Sequence, residues 1–207
     1  MSNEIEIKTE VKPENKTKKK SKLHLAILSL VEGALMVALA QILGYLKFFP
    51  SLSEGGSITF VMFPICLYAV RWGLGKGLLA SFALGLLQLL LDGAYAWGWQ
   101  CMLLDYLLAY TMLGFAGIFH GKKWGIFPGI LVGGLARFLM HFISGATLYR
   151  IVAPTEILYF GTFSNPELYS LVYNGIYMIP CILLSLAVAG VLYNTPLKKY
   201  FTAQDLR

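Results

Sequence analysis

Long apolar segments separated by short polar connections dominate this 207-residue chain and limit its fold more than any other feature. About 20 apolar residues in a helix cross a hydrocarbon core of roughly 30 Å, and a spanning segment must satisfy its own backbone. We predict an all-α, polytopic membrane bundle with six spans. They are Leu23–Tyr45, Ile58–Arg71, Gly75–Leu91, Cys101–Phe119, Ile126–Ile143 and Leu168–Tyr193. The second is short, so five spans plus a re-entrant segment is the alternative.

Composition favours a membrane protein over a soluble one. The chain is 57% hydrophobic and 14% charged, whereas soluble domains carry roughly 45–50% apolar and about 25% charged residues. The net charge is +6, but seven of the seventeen basic residues lie in the first 22 positions, a tail too polar to fold alone. We expect a disordered, basic cytoplasmic tail over residues 1–22, a membrane domain over residues 23–195 and a short cytoplasmic tail over residues 196–207. The expected surroundings are a lipid bilayer, and no nucleic-acid partner is indicated.

Lysine and arginine fall on one side of the predicted bundle. Positive loops are retained in the cytoplasm, and with the tail inside, the cytoplasmic connections are Arg71–Lys76 and His120–Trp124. The C-terminal basic residues lie on the same side, whereas only Lys47 and Arg150 lie opposite. We therefore predict a multi-pass protein of the cell membrane with both termini in the cytoplasm.

The sequence carries no pattern typical of a metal, disulfide or nucleotide site. Cys66, Cys101 and Cys181 lie inside apolar segments without paired spacing or neighbouring histidine clusters, so they predict lipid-facing or core positions. The glycines around Gly75 follow no strand and precede no lysine–serine pair, which favours close packing over a phosphate loop. We expect no cofactor, and energy for any transport would come from a partner or an ion gradient.

Three polar side chains share one depth near the outer ends of three predicted spans. Asp105 lies in the fourth span, His141 in the fifth and Asn174 in the sixth. Ionisable groups at membrane depth are costly and normally face a cavity or a partner. The aromatic residues that accompany them are Tyr95, Trp97, Trp99, Tyr106, Tyr149, Tyr169 and Tyr173. Together they predict a polar pocket with aromatic walls that faces outward.

These groups also have a structural interpretation. In it, Asp105 pairs with His141 or Arg137 to hold helices together, and the aromatic residues form an interfacial belt. Glu32, near the inner side of the first span, suits a structural or partner-facing role. Asp92 begins an outer turn and suits turn chemistry.

The motifs of the predicted spans resemble those of one known family. They are EGALMVALA in the first span, GGSITFVMFPICLYAVRWGLGKGLLAS across the second and third, LLDYLLAY in the fourth, RFLMHFISGATLY in the fifth and YSLVYNGIYMIP in the sixth. In this order, over about Leu30–Pro180, they are similar to the thiamine-specific substrate-binding subunit, or S-component, of energy-coupling factor vitamin transporters. The basic tail lies outside the resemblance.

The resemblance implies a six-helix subunit that binds thiamine from outside and is not an enzyme. Such a subunit docks on a membrane-embedded coupling subunit that works with two cytosolic ATPases. The family's alanine pair in the first helix, which contributes to docking, corresponds to Ala34 and Ala38. These two residues also form a small-xxx-small pattern, which allows close approach of another helix.

The resemblance further implies which side chains contact thiamine. The family's carboxylate, histidine, tyrosine and asparagine at the pyrimidine end correspond to Asp105, His141, Tyr169 and Asn174. Two further aromatic positions correspond to Tyr95 and Tyr149, and Tyr106 follows the carboxylate directly.

Other functions stay open at this point. One is an S-component for another flat vitamin or a thiamine precursor. A second is an integral-membrane enzyme with Asp105 and His141 as an acid–base pair, and a third is a purely structural membrane subunit. Contacts to the hydroxyethyl end of the ligand are also open, because Thr59 stands where some family members carry a glutamate. Some members likewise carry a glutamate in place of Asp105.

Overall fold

The helices follow the apolar segments of the sequence in order. The computed structural model describes residues 21–49, 51–52, 55–91, 98–152, 156–157, 161–203 and 206. Its helices are α1 Lys22–Tyr45, α2 Met62–Trp72, α3 Leu74–Leu91, α4 Trp99–Phe119, α5 Ile126–Val152, α6 Pro166–Tyr193 and α7 Lys198–Phe201. A short antiparallel pair, β1 Glu156–Ile157 and β2 Gly161–Thr162, lies between α5 and α6. The predicted all-α fold is confirmed, and the predicted tail lies outside the described residues up to residue 20.

Among the described residues, five helices are long and apolar enough to cross a membrane: α1, α3, α4, α5 and α6. This agrees with the predicted multi-pass membrane protein. The sixth apolar helix, α2, has 11 residues and reaches about 16 Å, roughly half of a hydrocarbon core. It lies inside the bundle, where Met62, Ile65 and Cys66 are fully buried. All three cysteines are buried, so they occupy core positions.

Non-helical backbone before α2 accounts for the short length of that helix. The amide of Gly56 donates to Tyr173 Oη at 3.1 Å, and the amide of Thr59 donates to Cys181 Sγ at 3.4 Å. Non-helical backbone at membrane depth is tolerated where protein groups satisfy it in this way. The helix consequently begins at Met62, later than the apolar run predicts.

Helix α5 runs to Val152, beyond the predicted end at Ile143. The apolar run ends there, because Ser144 and Gly145 follow. The helix nevertheless continues, and Thr147 Oγ1 donates to the Ile143 carbonyl at 2.7 Å. The apolar segment therefore locates this span correctly but underestimates the length of its helix.

Helix α3 and the second half of α4 pack backbone against backbone. A Cβ added at Gly114 would lie 2.5 Å from Leu78 Cα, and one added at Gly117 would lie 2.6 Å from Leu74 Cα. Small residues at such positions let membrane helices approach closely. Residues Leu113–Phe119 adopt the tighter 3₁₀ geometry over this contact.

Glu32 joins α1 to α2 at the end of the bundle where basic residues gather. Its carboxylate accepts hydrogen bonds from Arg71 Nε at 2.7 Å and from Trp72 Nε1 at 2.6 Å. Arg71 is 3% exposed, so each buried charge has its partner. Helix α7 closes the same end, where Phe201 is buried against Phe63 at a ring-centroid distance of 6.5 Å. Of the two roles open to Glu32, the structure supports the structural one.

Candidate functional site

Asp105 and His141, from different helices, form the centre of the candidate site. His141 Nδ1 lies 2.8 Å from Asp105 Oδ1, and Ser144 Oγ donates to Asp105 Oδ2 at 2.6 Å. The side chain of His141 is 10% exposed, and that of Asp105 is 28% exposed. Helix α5 therefore fixes the carboxylate with two donors, while part of the carboxylate stays open to a further partner.

A π-helical turn carries Asp105. Residues Met102–Leu108 of α4 adopt this geometry, in which hydrogen bonds span five residues instead of four. Such turns are rare and occur frequently at functional sites. Residues Ala109–Met112 return to α-helical geometry, so the widened turn is confined to the part of α4 that faces the site.

Arg137 fixes the hydrogen-bonding state of His141. It lies one turn earlier on α5, and its Nε donates to His141 Nε2 at 3.3 Å. Because a guanidinium only donates, Nε2 of His141 accepts and Nδ1 carries the proton that it shares with Asp105. The imidazole is thus neutral in this arrangement. Arg137 Cζ also lies 4.0 Å from the centroid of the Tyr110 ring, a cation–π geometry.

Tyr110 extends this polar arrangement toward α1. Its hydroxyl donates to Gln88 Oε1 at 3.1 Å, and Gln88 Nε2 donates to Gln41 Oε1 at 2.9 Å. Gln41 Nε2 in turn donates to Tyr45 Oη at 3.1 Å. Both glutamines are buried, and buried amides require such partners. This amide chain, Gln41, Gln88 and Tyr110, links α1, α3 and α4 beside the candidate site.

Asn174 joins α6 to α5. Its Nδ2 donates to the carbonyl of His141 at 3.2 Å and to that of Ser170 at 2.9 Å. Its Oδ1 accepts from Tyr177 Oη at 2.7 Å. A carbonyl oxygen accepts two hydrogen bonds, so Oδ1 has capacity for one more donor.

Three tyrosines line one face of α6 at intervals of four residues: Tyr169, Tyr173 and Tyr177. The rings of Tyr169 and Tyr173 stack at 5.6 Å and 17°. The ring of Tyr177 meets His141 edge to face at 6.0 Å. This tyrosine row leads from the start of α6 to the imidazole. The backbone before α2 covers it so closely that a Cβ at Gly56 would lie 2.7 Å from Tyr177 Cδ1.

The structure brings together part of the predicted site. Asp105 contacts His141, and Asn174 contacts the His141 backbone, while Tyr169 joins them through the tyrosine row. Tyr106 is half-buried and packs against the hydrophobic core. Two predicted residues lie outside the described part of the chain, namely Tyr95 and the side chain of Tyr149.

The sequence analysis did not identify several residues that contact the predicted site residues. Ser144 follows His141 by three positions, and Tyr177 follows Asn174 by three, so helical spacing alone places each beside its neighbour. The spacing could therefore have identified both residues from the sequence. Gln88 gave no such signal, because its hydrogen-bond partners lie on two other helices.

Comparison with known proteins identifies relatives along most of the chain. The thiamine transporter protein family matches residues 30–201. The chain is 32% identical over 183 residues to thiamine transporter ThiT of Bacillus subtilis (strain 168), covering 82% of this chain and 92% of that protein. It is 29% identical over 201 residues to ThiT of Lacticaseibacillus paracasei, with 88% and 94% covered. A solved structure of ThiT from Listeria monocytogenes has a similar fold, with a TM-score of 0.72, 24% identity, and 85% of this chain and 98% of that chain covered.

These matches include every motif on which the resemblance rests. Both curated relatives carry the name of a transporter, and the family is one of transporters rather than enzymes. The matched region begins after the basic tail and includes all the membrane helices from the middle of α1 onward. The chain therefore belongs to the thiamine transporter protein family.

Proposed function

We propose that this chain is the substrate-binding subunit of an energy-coupling factor transporter and captures thiamine from the outer side of the membrane. The observation that carries the proposal is the partly exposed Asp105 carboxylate, fixed by His141 and Ser144. It lies on a chain of the thiamine transporter protein family. The relatives from B. subtilis and L. paracasei are named thiamine transporters.

The chemistry of thiamine suits this arrangement of side chains. Its thiazolium is a fixed cation, and its aminopyrimidine presents hydrogen-bond donors and acceptors. Asp105 offers a negative charge and an acceptor, and the neutral imidazole of His141 adds no charge that repels a cation. The tyrosine row lies beside this centre, and a desolvated cation–π contact with a ligand that reaches one of its rings would contribute about 0.5–2 kcal/mol.

The proposal includes further ligand contacts. Asn174 Oδ1 accepts from Tyr177 and can accept once more, which suits the amino group of the pyrimidine. Tyr169 ends the tyrosine row on the side away from His141. Tyr95, Tyr106 and Tyr149 complete the proposed set of ligand contacts.

In the proposed orientation the site faces outside and both termini lie in the cytoplasm of a cell. The support is the concentration of exposed lysines at the opposite end of the bundle, which the positive-inside rule assigns to the cytoplasm. Ala34 and Ala38 are both exposed on α1, so a helix of the coupling subunit can approach closely there. Two ATPases bound to that subunit would supply the energy.

Calorimetric titration of the purified subunit with thiamine tests the ligand. We expect saturable binding of one thiamine per chain, and a titration without saturation at micromolar thiamine contradicts the proposal. A competition panel with riboflavin and thiamine precursors identifies the preferred vitamin. Stronger displacement by any of these than by thiamine would assign a different substrate.

Larger side chains on α1 test the docking surface. In the double variant Ala34→Leu and Ala38→Leu, copurification with the coupling subunit and cellular thiamine uptake should both fall. The reason is that the leucine side chains occupy the space that a helix of the coupling subunit needs. Thiamine affinity of the isolated subunit should stay unchanged. Ala187→Leu alters an exposed alanine of α6 and serves as the control. Normal uptake by the double variant would exclude this face of α1 from docking.

A further inference from the structure

Lysines from three parts of the chain converge at the end of the bundle opposite the candidate site. Lys198 Nζ lies 4.8 Å from the centroid of the Tyr193 ring, and the Tyr193 hydroxyl donates to the backbone carbonyl of Lys123. Trp124 stacks on Tyr193 at 4.6 Å and 22°. The turn after α4 and the segment after α6, which are some 70 residues apart in sequence, thus meet around one aromatic pair.

Further exposed lysines contact other aromatic rings at this end. Lys122 Nζ lies 5.0 Å from the Phe119 ring centroid, Lys199 Nζ lies 5.5 Å from that of Tyr200, and Lys76 Nζ lies 4.3 Å from that of Trp72. We use the name basic collar for five of the exposed lysines at this end. They are Lys76, Lys122, Lys123, Lys198 and Lys199.

The positive charge of the basic collar is not neutralised within the described residues. The acidic side chain found there, Glu32, accepts from Arg71 and Trp72 instead. The ion pair of Glu32 is with Arg71, at a distance of 2.7 Å between Oε2 and Nε. The collar lysines contact aromatic rings, which leaves their ammonium groups able to bind anions.

The position of the collar indicates which anion it meets. Its lysines lie where the membrane-spanning helices begin or end: at the start of α3, between α4 and α5, and just after α6. Membrane helices end at the level of the lipid headgroups, and tryptophan and tyrosine concentrate at that level. Clusters of four to eight basic residues beside such helices attract anionic lipids.

We propose that the basic collar binds the headgroups of anionic phospholipids, and that the Trp124–Tyr193 stack holds Lys123 and Lys198 at one headgroup. The lysine ammonium groups bind the phosphate, and the exposed ring of Trp124 lies at the interface between headgroup and acyl chain, above the buried ring of Tyr193. The surface is separate from the thiamine site, and its occupancy does not depend on the proposed transport function.

The test compares two lipids on the full-length chain. Wild-type protein and the double variant Lys123→Gln, Lys198→Gln are titrated in detergent with phosphatidylglycerol or phosphatidylcholine, and the thermal midpoint is recorded. A ligand that binds the folded state raises this midpoint. We expect phosphatidylglycerol to raise the wild-type midpoint by several degrees more than phosphatidylcholine does, and this difference to fall by at least half in the double variant.

Two controls separate the effect of charge from that of folding. Lys123→Arg, Lys198→Arg keeps both charges and should keep the phosphatidylglycerol effect. Lys47→Gln removes an exposed lysine at the other end of the bundle and should also keep it. Equal responses of the wild type to the two lipids, or an undiminished phosphatidylglycerol effect in the double glutamine variant, would overturn the proposal. Stabilisation by soluble polyglutamate but not by phosphatidylglycerol would overturn it as well and would assign the collar to an acidic protein.

Discussion

His141 Nδ1 lies 2.8 Å from Asp105 Oδ1, across 36 residues of sequence, and this contact joins α5 to the π-helical turn of α4. Ser144 holds the second oxygen of the same carboxylate at 2.6 Å. A carboxylate with both oxygens fixed has one orientation, so its exposed part faces one direction. This arrangement is the preorganisation that tight binding of a small cation requires.

Asp105→Asn and His141→Ala are each expected to weaken thiamine binding at least tenfold. The first removes the negative charge of the proposed contact to the aminopyrimidine, and the second removes the donor that orients the carboxylate. Loss of one partner of a buried, charged hydrogen bond costs about 2–5 kcal/mol. Calorimetry measures the affinity, and Asp105→Glu is the matched control, since it keeps the charge and should bind within a few-fold of wild type. Unchanged affinity in both test variants would remove these residues from the site.

Ser144→Ala is expected to weaken thiamine binding by roughly fivefold, or about 1 kcal/mol, because Asp105 Oδ2 loses one of its donors. Thr147→Ala on the same helix removes a hydroxyl that donates to the Ile143 carbonyl instead, and it should leave the affinity unchanged. Equal affinities for the two variants would show that Ser144 does not support the carboxylate.

Gln88→Leu is expected to lower the stability of the subunit by about 1–3 kcal/mol. The substitution removes a hydrogen-bond partner from the buried side chains of Gln41 and Tyr110. Thermal unfolding in detergent measures the loss. Leu79→Ala, which alters a side chain 64% exposed on the same helix, should change the midpoint much less. The opposite order of the two midpoints would contradict a stabilising role for the amide chain.

Gly114→Ala is expected to destabilise the bundle strongly, because its Cβ would meet backbone atoms of α3 at 2.5 Å. These atoms belong to a helix and have no room to move aside. Gly175→Ala places the same methyl group no closer than 3.7 Å to a neighbouring side chain and should be tolerated. Retention of folded protein after gel filtration distinguishes the two. Equal yields would show that α3 and α4 can separate without loss of the fold.

The length and position of the apolar segments were sufficient to predict the bundle. Helices α1, α3 and α6 begin and end within about two residues of the predicted spans. The predictions were less accurate where tertiary contacts decide the backbone. The stretch before α2 stays non-helical because Tyr173 and Cys181 bind its amides. No local pattern specifies that choice.

The candidate site could likewise be predicted from the sequence only in part. Asp105, His141 and Asn174 were predicted to lie together because buried polar groups at one membrane depth need partners, and the structure brings them together. The bond between Ser144 and Asp105 depends on the rotation of α4 about its axis. The sequence contains no separate signal for that rotation, because the π-helical turn that sets it depends on how α4 packs against α3 and α5.

Because of this π-helical turn, the geometry of the site also depends on the number of residues in Met102–Leu108 of α4. A π-helical turn contains one residue more than the α-helical turn it replaces, and each residue of an α-helix adds about 100° of rotation. Deletion of one residue within Met102–Leu108 would therefore rotate the two halves of α4 relative to each other. A regular helix could keep Asp105 beside His141 or keep Gly114 against Leu78. It could not do both. A relative that lacks one residue in this segment would need its carboxylate at a different position of α4. A sequence alignment of that relative with this chain would show the shift.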